Sequence, residues 1–406
     1  MKPGIIAPTR IEPARIEELI DIALAESALN LARASDRLGA GLPSATLAQV
    51  AAMIRVMNSY YSNRIEGNNT RPREIEAALA GAFDEDPRRR ALQQESAAHV
   101  RLQAEIDRRA ANGTLEDPSN PEFIRWLHLE FYRDVDATAL VLREVNPDGE
   151  GRIVIQPGEW RDGDVEVGEH VPPPHDVVPA FMDHFHARFR QDWLHGQTAK
   201  ILAMATAHHR LNFIHPFYDG NGRVSRLMSH AMAHHAGIGA GGLWSVARGL
   251  ARGLEGGLPG SEEYREMMRL ADRVRQGDRD GRGNLSLAAL TQFTGWFLAA
   301  CLDQVTFMGE LLDFAGMGDR LGRYAAAQDF RTGGSELLRA LLIRGQVARG
   351  DVAAILGVAP RTARAVIKEL TDNGILGSET PRSDLELRFP SRTHEMLFPR
   401  LFEGGQ

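Results

Sequence analysis

His215-Pro216-Phe217-Tyr218-Asp219-Gly220-Asn221-Gly222-Arg223-Val224-Ser225-Arg226 is the stretch on which the reading of this chain turns. Two glycines flank an asparagine, so the backbone there can take torsions that Cβ-bearing residues resist, and successive N–H groups can line an anion. The residues from Arg223 onward read as a helix, which sets its N-terminus against the same anion. Arg223 and Arg226 are three apart and share a helix face. Their guanidinium forks suit phosphate oxygens and never lose their proton. Asp219 offers the hard oxygen that Mg²⁺ uses beside substrate phosphates. His215, with an ordinary pKa near 6.5, can accept a proton at cellular pH, and Pro216 fixes the backbone beside it. A base, an acid, a cradle for an anion and two fixed cations in this order point to phosphate chemistry.

These residues match every fixed position of the Fic family signature, His-Pro-Phe-x-x-Gly-Asn-Gly-Arg-x-x-Arg, and the segment resembles that family. The resemblance implies transfer of AMP from ATP to a Ser, Thr or Tyr hydroxyl of a target protein, with release of pyrophosphate. It further implies that His215 deprotonates the attacking hydroxyl and that Asp219 holds Mg²⁺ on the α and β phosphates. Gly220, Asn221 and Gly222 would cradle the phosphates, Arg223 and Arg226 would bind them further along, and Phe217 would anchor the loop in the core. Kinase-like relatives carry Lys where this chain has Gly222. Ser225 occupies a variable position.

Far upstream, Ser62-Asn63-Arg64-Ile65-Glu66-Gly67 is similar to the family's inhibitory motif, and its place before the signature resembles the second class of these proteins. There the Glu pairs with the last Arg of the signature, here Arg226, and denies it to the γ-phosphate. Taken alone, Ser62 and Glu66 are also an ordinary i, i+4 pair on a helix ending at Gly67. In some relatives the same Glu positions water for removing AMP, and the residues leave that open here.

Between the motifs, Asp162 to Val171 alternates Val165 and Val167 with acids between glycines, before Pro172 to Pro174. That pattern predicts a short exposed hairpin, able to take up an extended segment by main-chain pairing. In position it resembles the flap that clamps the target in the family.

At 406 residues, with 43% hydrophobic and 25% charged residues, the composition is that of a globular protein with room for two or three domains. A formal charge of -7 gives no whole-chain basic field. The single cysteine, Cys301, excludes an internal disulfide and a Cys-rich zinc site, and suits a reducing cytoplasm. The N-terminal apolar run is too short for a signal peptide, and no stretch suggests a membrane span.

Helical periodicity dominates. The expected fold is mainly α: a helical region with the inhibitory helix at 1–110, broken near Gly39 to Pro43; a Fic-type helical core with its flap and trailing helices at 111–330; and a C-terminal module at 331–406. In that module three helices around Leu337–Leu342, Val352–Leu356 and Pro360–Leu370 precede two strands at 374–376 and 385–389, an order that resembles a winged helix-turn-helix. Arg361, Arg364 and Lys368 fall on one side of the third helix, as a helix entering a DNA groove requires. The module's near-balanced charge is weak for that use, and winged helices also make dimer or protein contacts, so DNA, a protein partner and a homodimer all stay open.

Other features read as structural. Asp278 to Gly283 begins like a calcium loop, but Arg282 and Ala289 stand where ligands belong. His230 and His234 have zinc-compatible spacing without an evident third ligand, and read as packing or surface residues. His208 and His209 belong to the helix before the signature, and Arg88 to Arg90 to a solvated face. The rival reading from another class is a transcriptional regulator whose helical core senses a nucleotide without turnover. Closer rivals remove AMP or transfer UMP or phosphocholine.

Overall fold

The structure, a computed structural model, describes residues 7–16, 20–146, 149–254 and 260–402, with the side chains of 143–151 left aside. The fold is mainly α, with few and short strands. Two compact units emerge. The first gathers residues 1–36, 58–241 and 245–304; the second gathers 37–57, 242–244 and 305–406.

The first unit is built around the helix Gln197–Ile214, which is buried on nearly every side. Its apolar residues lie on every face, as expected of a core helix, and the Arg210 buried with them bonds to the carbonyls of Pro13 and Ala271. It packs along Asn221–His235, the helix that follows the signature loop. Pro87–Ala111 and Pro121–Tyr132 cover the latter from other sides. Both of these begin with proline at the first turn, where no N–H is needed. Asp86 caps the first by accepting from the Arg88 and Arg89 N–H groups, and Asn120 caps the second by accepting from Glu122 N–H at 2.9 Å. Pro121–Tyr132 turns an aromatic stripe inward through Phe123, Leu127 and Phe131. Trp126 instead lies half-buried beneath the Arg109 guanidinium, 4.1 Å from the ring centroid.

The predicted break near Gly39 to Pro43 separates Ile22–Asp36 from Ser44–Ile65. The latter carries Ser62 in its last turn, and Gly67 follows with φ +82. The sequence reading did not find the longest antiparallel pair. Val141–Asn146 runs against Gly149–Val154, with Val141 opposite Val154 and Asn146 opposite Gly149. At Asp162 to Val171, where a hairpin was expected, the ladder is a single bridge, Val167 opposite His170. Both backbone bonds are made, at 2.9 and 3.0 Å, across Gly168, whose φ is +61. Val165 lies outside the ladder, half-buried, while Val167 is exposed. Proline at Pro172 to Pro174 and the tight turn leave no room for a longer pairing.

In the second unit the expected helices are Gly334–Arg344, Val352–Leu356 and Pro360–Asn373. The two expected strands are Leu376–Gly377 and Leu385–Leu387, shorter than the sequence suggested. A third strand, Gln346–Val347, was not anticipated; it pairs with Leu385–Leu387, which takes the centre of the three-stranded antiparallel sheet. Leu337, Leu341, Val366 and Leu370 close the core of this unit. On the opposite side of Pro360–Asn373, Arg361, Arg364 and Lys368 are exposed, and Lys368 pairs with Asp372.

The calcium-like loop is a helix cap. Asp280 accepts from Gln276 N–H and Ala288 N–H, both at 2.8 Å, and so sets the start of Leu287–Leu311.

Candidate active site

Helix Gln197–Ile214 ends at His215, whose left-handed φ of 51 is unusual for a residue with a side chain. Pro216 cannot continue the helix, and the chain turns through Phe217, which is fully buried. Phe217 stacks on the His128 ring at 3.9 Å and an interplanar angle of 5°. His128 Nδ1 accepts from Gly158 N–H at 2.8 Å, so its Nε2–H is the side that faces the Asp219 carbonyl, 3.3 Å away. Burial lowers the His128 pKa to about 4, which keeps the ring neutral in this stack.

Asn221 works from inside the loop. Its side chain accepts from Phe217 N–H at 3.0 Å and donates to the Phe217 carbonyl at 2.8 Å, which locks the turn. The amide side chain is therefore spent on shaping the loop, which leaves the N–H groups of the first helical turn as the groups that could meet an anion. Gly220, with φ +80, begins the Asn221–His235 helix, and a Cβ there would sit 2.9 Å from the Tyr132 ring. Only glycine meets both conditions.

His215 is half-buried. Lost hydration pushes its pKa down to about 4, with His170 and Arg161 adding to the fall, while the Asn212 carbonyl takes a hydrogen bond from the ring. The imidazole is thus neutral, with one ring nitrogen engaged and the other able to accept a proton. The sequence reading passed over Arg161, which is 2% exposed. Its Nε donates to the His215 carbonyl at 2.9 Å, and its other nitrogens reach the carbonyls of Gly163 at 3.0 Å and of Pro173. One side chain therefore ties both ends of the Asp162 to Val171 turn to the residue that bears the base.

Asp219 Oδ2 accepts from Tyr132 Oη at 2.9 Å and lies 3.4 Å from Arg223. Burial raises the carboxyl's pKa, but Arg223, the Gly220 N–H and Tyr132 outweigh it, and the net shift is down. Asp219 is therefore an ionised oxygen donor, with 41% of its side chain exposed. A single carboxylate of this kind fits Mg²⁺, which keeps waters and takes its remaining ligands from substrate phosphates.

Arg223 is 7% exposed and makes a 2.5 Å ion pair with Glu95. Burial acts against its charge, yet Tyr132, Glu95, Asp219 and Glu66 around it raise its pKa overall, so it stays a cation. Arg226 is held by Ser62 in the last turn of the Ser44–Ile65 helix and by Glu66 just after it. Its Nε donates to Ser62 Oγ at 2.9 Å, and Nη2 donates to the Ser62 carbonyl at 3.3 Å and to Glu66 Oε1 at 2.6 Å. Burial pushes the Glu66 carboxyl up, but Arg226 and then Arg223 pull it further down, so Glu66 is ionised. Gly222 makes room for this contact: a Cβ there would lie 2.5 Å from Glu66 Oε1.

The sequence-predicted residues His215, Asp219, Gly220, Asn221, Gly222, Arg223, Arg226, Ser62 and Glu66 thus meet in one place. Tyr132, His128, Glu95 and Arg161 join them without having been singled out. A signal for two of them was visible, since His128 and Tyr132 lie four apart on the aromatic helix, but buried polar positions on such a stripe read as core.

Residues 118–233 match the Fic/DOC family. The chain is similar to Protein adenylyltransferase Fic of Aedes aegypti, 40% identical over 87 residues, covering 20% of this chain and 16% of that protein. The protein of the same name from Drosophila willistoni is 34% identical over 122 residues, covering 29% and 22%. The chain therefore spans about a fifth of the length of these curated relatives. Among solved structures it is similar to a Fic family protein from Desulfovibrio desulfuricans G20, with TM-score 0.48, 17% identity and coverage of 96% and 98%. Fic-1 from C. elegans gives TM-score 0.46, 18% identity and coverage of 70% of each chain.

Proposed function

We propose that the Fic domain formed by residues 118–233 makes this chain a self-inhibited protein adenylyltransferase, which moves AMP from ATP to a hydroxyl side chain of a target protein. The observation that carries the reading is the neutral His215 held beside the glycine cradle while Arg226 is captured by Glu66. In this account His215 takes the proton from the target hydroxyl as its oxygen attacks the α-phosphorus. The bond to the β-phosphate bridging oxygen breaks, and pyrophosphate leaves. The N–H groups at Gly222 and beyond, the helix N-terminus and the two arginines face the oxygens on which charge builds, so their stabilisation needs no reorganisation. Asp219 would hold Mg²⁺, which supplies charge neutralisation on the phosphates.

By role, 1–110 brings the inhibitory Ser62 and Glu66, 111–330 the chemistry, and 331–406 a winged helix. The exposed Arg361 and Arg364 suit DNA, whereas the Lys368–Asp372 pairing withdraws one cation from that face and favours a protein contact or a homodimer. Among the described residues no helix is long and apolar enough to cross a membrane. The buried single cysteine suits the cytoplasm.

Because burial holds His215 near pKa 4, transfer in an unlatched protein should stay flat from about pH 8 to about pH 5 in kcat/KM, and fall only as the ring protonates below that. An inflection near pH 6.5 would mean an ordinary, hydrated histidine. The short Val167–His170 turn is the proposed docking edge for the target. Replacing Val165 and Val167 with proline should abolish target modification while ATP binding persists; unimpaired modification would dismiss the edge. The reaction itself is tested by mass spectrometry of a target modified in a lysate. An added adenylyl group supports the reading, an added uridylyl or phosphocholine group replaces it, and nucleotide binding without any transfer favours a nucleotide-sensing regulator.

A further inference from the structure

Pro87–Ala111 and Asn221–His235 face each other along a polar seam of residues three or four apart. Glu95, His99, Gln103 and Asp107 line the first helix and are all buried. Arg223, Arg226, His230 and His234 line the second. One end of the seam belongs to the site described above, through the pair of Glu95 with Arg223. The other end does not.

There, Asp107 Oδ1 lies 2.6 Å from His230 Nε2 and 3.0 Å from His234 Nε2. The two Nε2 atoms are themselves 3.3 Å apart. Their side chains are 7%, 9% and 11% exposed in the order Asp107, His230, His234. The two histidines were set aside in the sequence for lack of a third ligand; the fold brings Asp107 to them from a helix more than a hundred residues earlier.

Hydrogen bonding accounts for the two contacts to the carboxylate but leaves the two ring nitrogens, each with its proton already given to Asp107, pressed together beside it. A tetrahedral ion with bonds of about 2.0–2.1 Å holds its ligand atoms about 3.3 Å apart. That is the separation of the two imidazole nitrogens, and the Asp107 oxygen would need to retreat by about 0.7 Å from His230 and about 0.3 Å from His234. A second observation concerns Gly239. A Cβ there would sit 2.4 Å from His234 Nδ1 and 2.7 Å from Cγ, and the φ of Gly239 lies outside the left-handed region. The backbone does not demand glycine at this position; the His234 ring, turned so that Nε2 meets its partners, does.

We propose that Asp107, His230 and His234 bind one Zn²⁺ ion, with water as fourth ligand, as a structural clamp between the two helices that carry Glu95, Arg223 and Arg226. Two imidazoles and one carboxylate select a borderline transition metal, whereas Mg²⁺ seeks an all-oxygen set such as Asp219 with phosphates. Both Nε2 atoms must be free of protons to bind, so affinity rises with pH. The clamp acts on helix placement and takes no part in the transfer step, so it can fail while the proposed activity stands, and the reverse.

The test uses the full chain without an affinity tag, stripped with a chelator and then titrated with Zn²⁺ by calorimetry and with Co²⁺ by absorption. The clamp predicts one Zn²⁺ per chain, a higher melting temperature with Zn²⁺, and the intense visible bands of four-coordinate Co²⁺. His234→Gln should weaken Zn²⁺ binding at least tenfold, with excess Mg²⁺ failing to compete. Asp107→Asn gives the same reading should His234→Gln fold poorly, and the Co²⁺ spectrum of the parent protein needs no variant. Absence of stoichiometric Zn²⁺ binding, a weak six-coordinate Co²⁺ spectrum, or unchanged binding in the folded variants would overturn the proposal.

Discussion

Replacing His215 with alanine in an unlatched background is expected to lower AMP transfer by about 10²–10⁴-fold, the range that a positioned general base contributes. The loss should fall on kcat more than on ATP binding. The cradle's shape comes from Asn221 bridging the Phe217 backbone and from Gly220 against Tyr132, and neither depends on the imidazole. Arg161 would still hold the backbone carbonyl of residue 215, so the turn should keep its geometry. Comparison of transfer rates and ATP affinities for the two proteins checks this. Loss of ATP binding in the variant would make His215 a structural residue instead.

Glu66→Gly is expected to raise the rate of transfer from ATP by about 10- to 10³-fold. An ion pair at intermediate dielectric is worth about 1–4 kcal/mol, and each 1.4 kcal/mol changes a population about tenfold. The increase should be smaller at high salt, because Glu66 keeps 32% of its side chain exposed and its pairing is screened. Arg226 has 2% exposure while Ser62 and Glu66 hold it. On the proposed account, removing the carboxylate leaves Nη2 with only the 3.3 Å bond to the Ser62 carbonyl and so available to the γ-phosphate, while Ser62 still orients Nε. Ser62→Ala should therefore have a much smaller effect than Glu66→Gly. Equal rates for parent and Glu66→Gly would remove the latch from the account.

The signature loop was legible because its residue types are fixed by chemistry at short range. Glycine at 220, proline at 216 and asparagine at 221 each answer a local backbone demand. The helices were legible through periodicity, and caps such as Asp86-Pro87 and Asn120-Pro121 fix where two of them start. Partnerships made across long sequence gaps were not legible from the residues alone. Glu95 meets Arg223, and Asp107 meets His230 and His234, only after two helices dock. Arg161 was not singled out either, and its guanidinium is buried among three carbonyls. Short strands were misjudged for a different reason. The Val167–His170 turn has one bridge, and the central strand Leu385–Leu387 has three residues, too few for alternation to mark their ends.

The most direct measurement incubates the Glu66→Gly protein with host lysate, Mg²⁺ and ATP labelled on the α-phosphate, in parallel with the Glu66→Gly, His215→Ala double variant. The account predicts a labelled protein band with the first preparation and its loss with the second, while both preparations bind ATP. Label on protein at equal levels in the two, or none in either despite bound ATP, would contradict it.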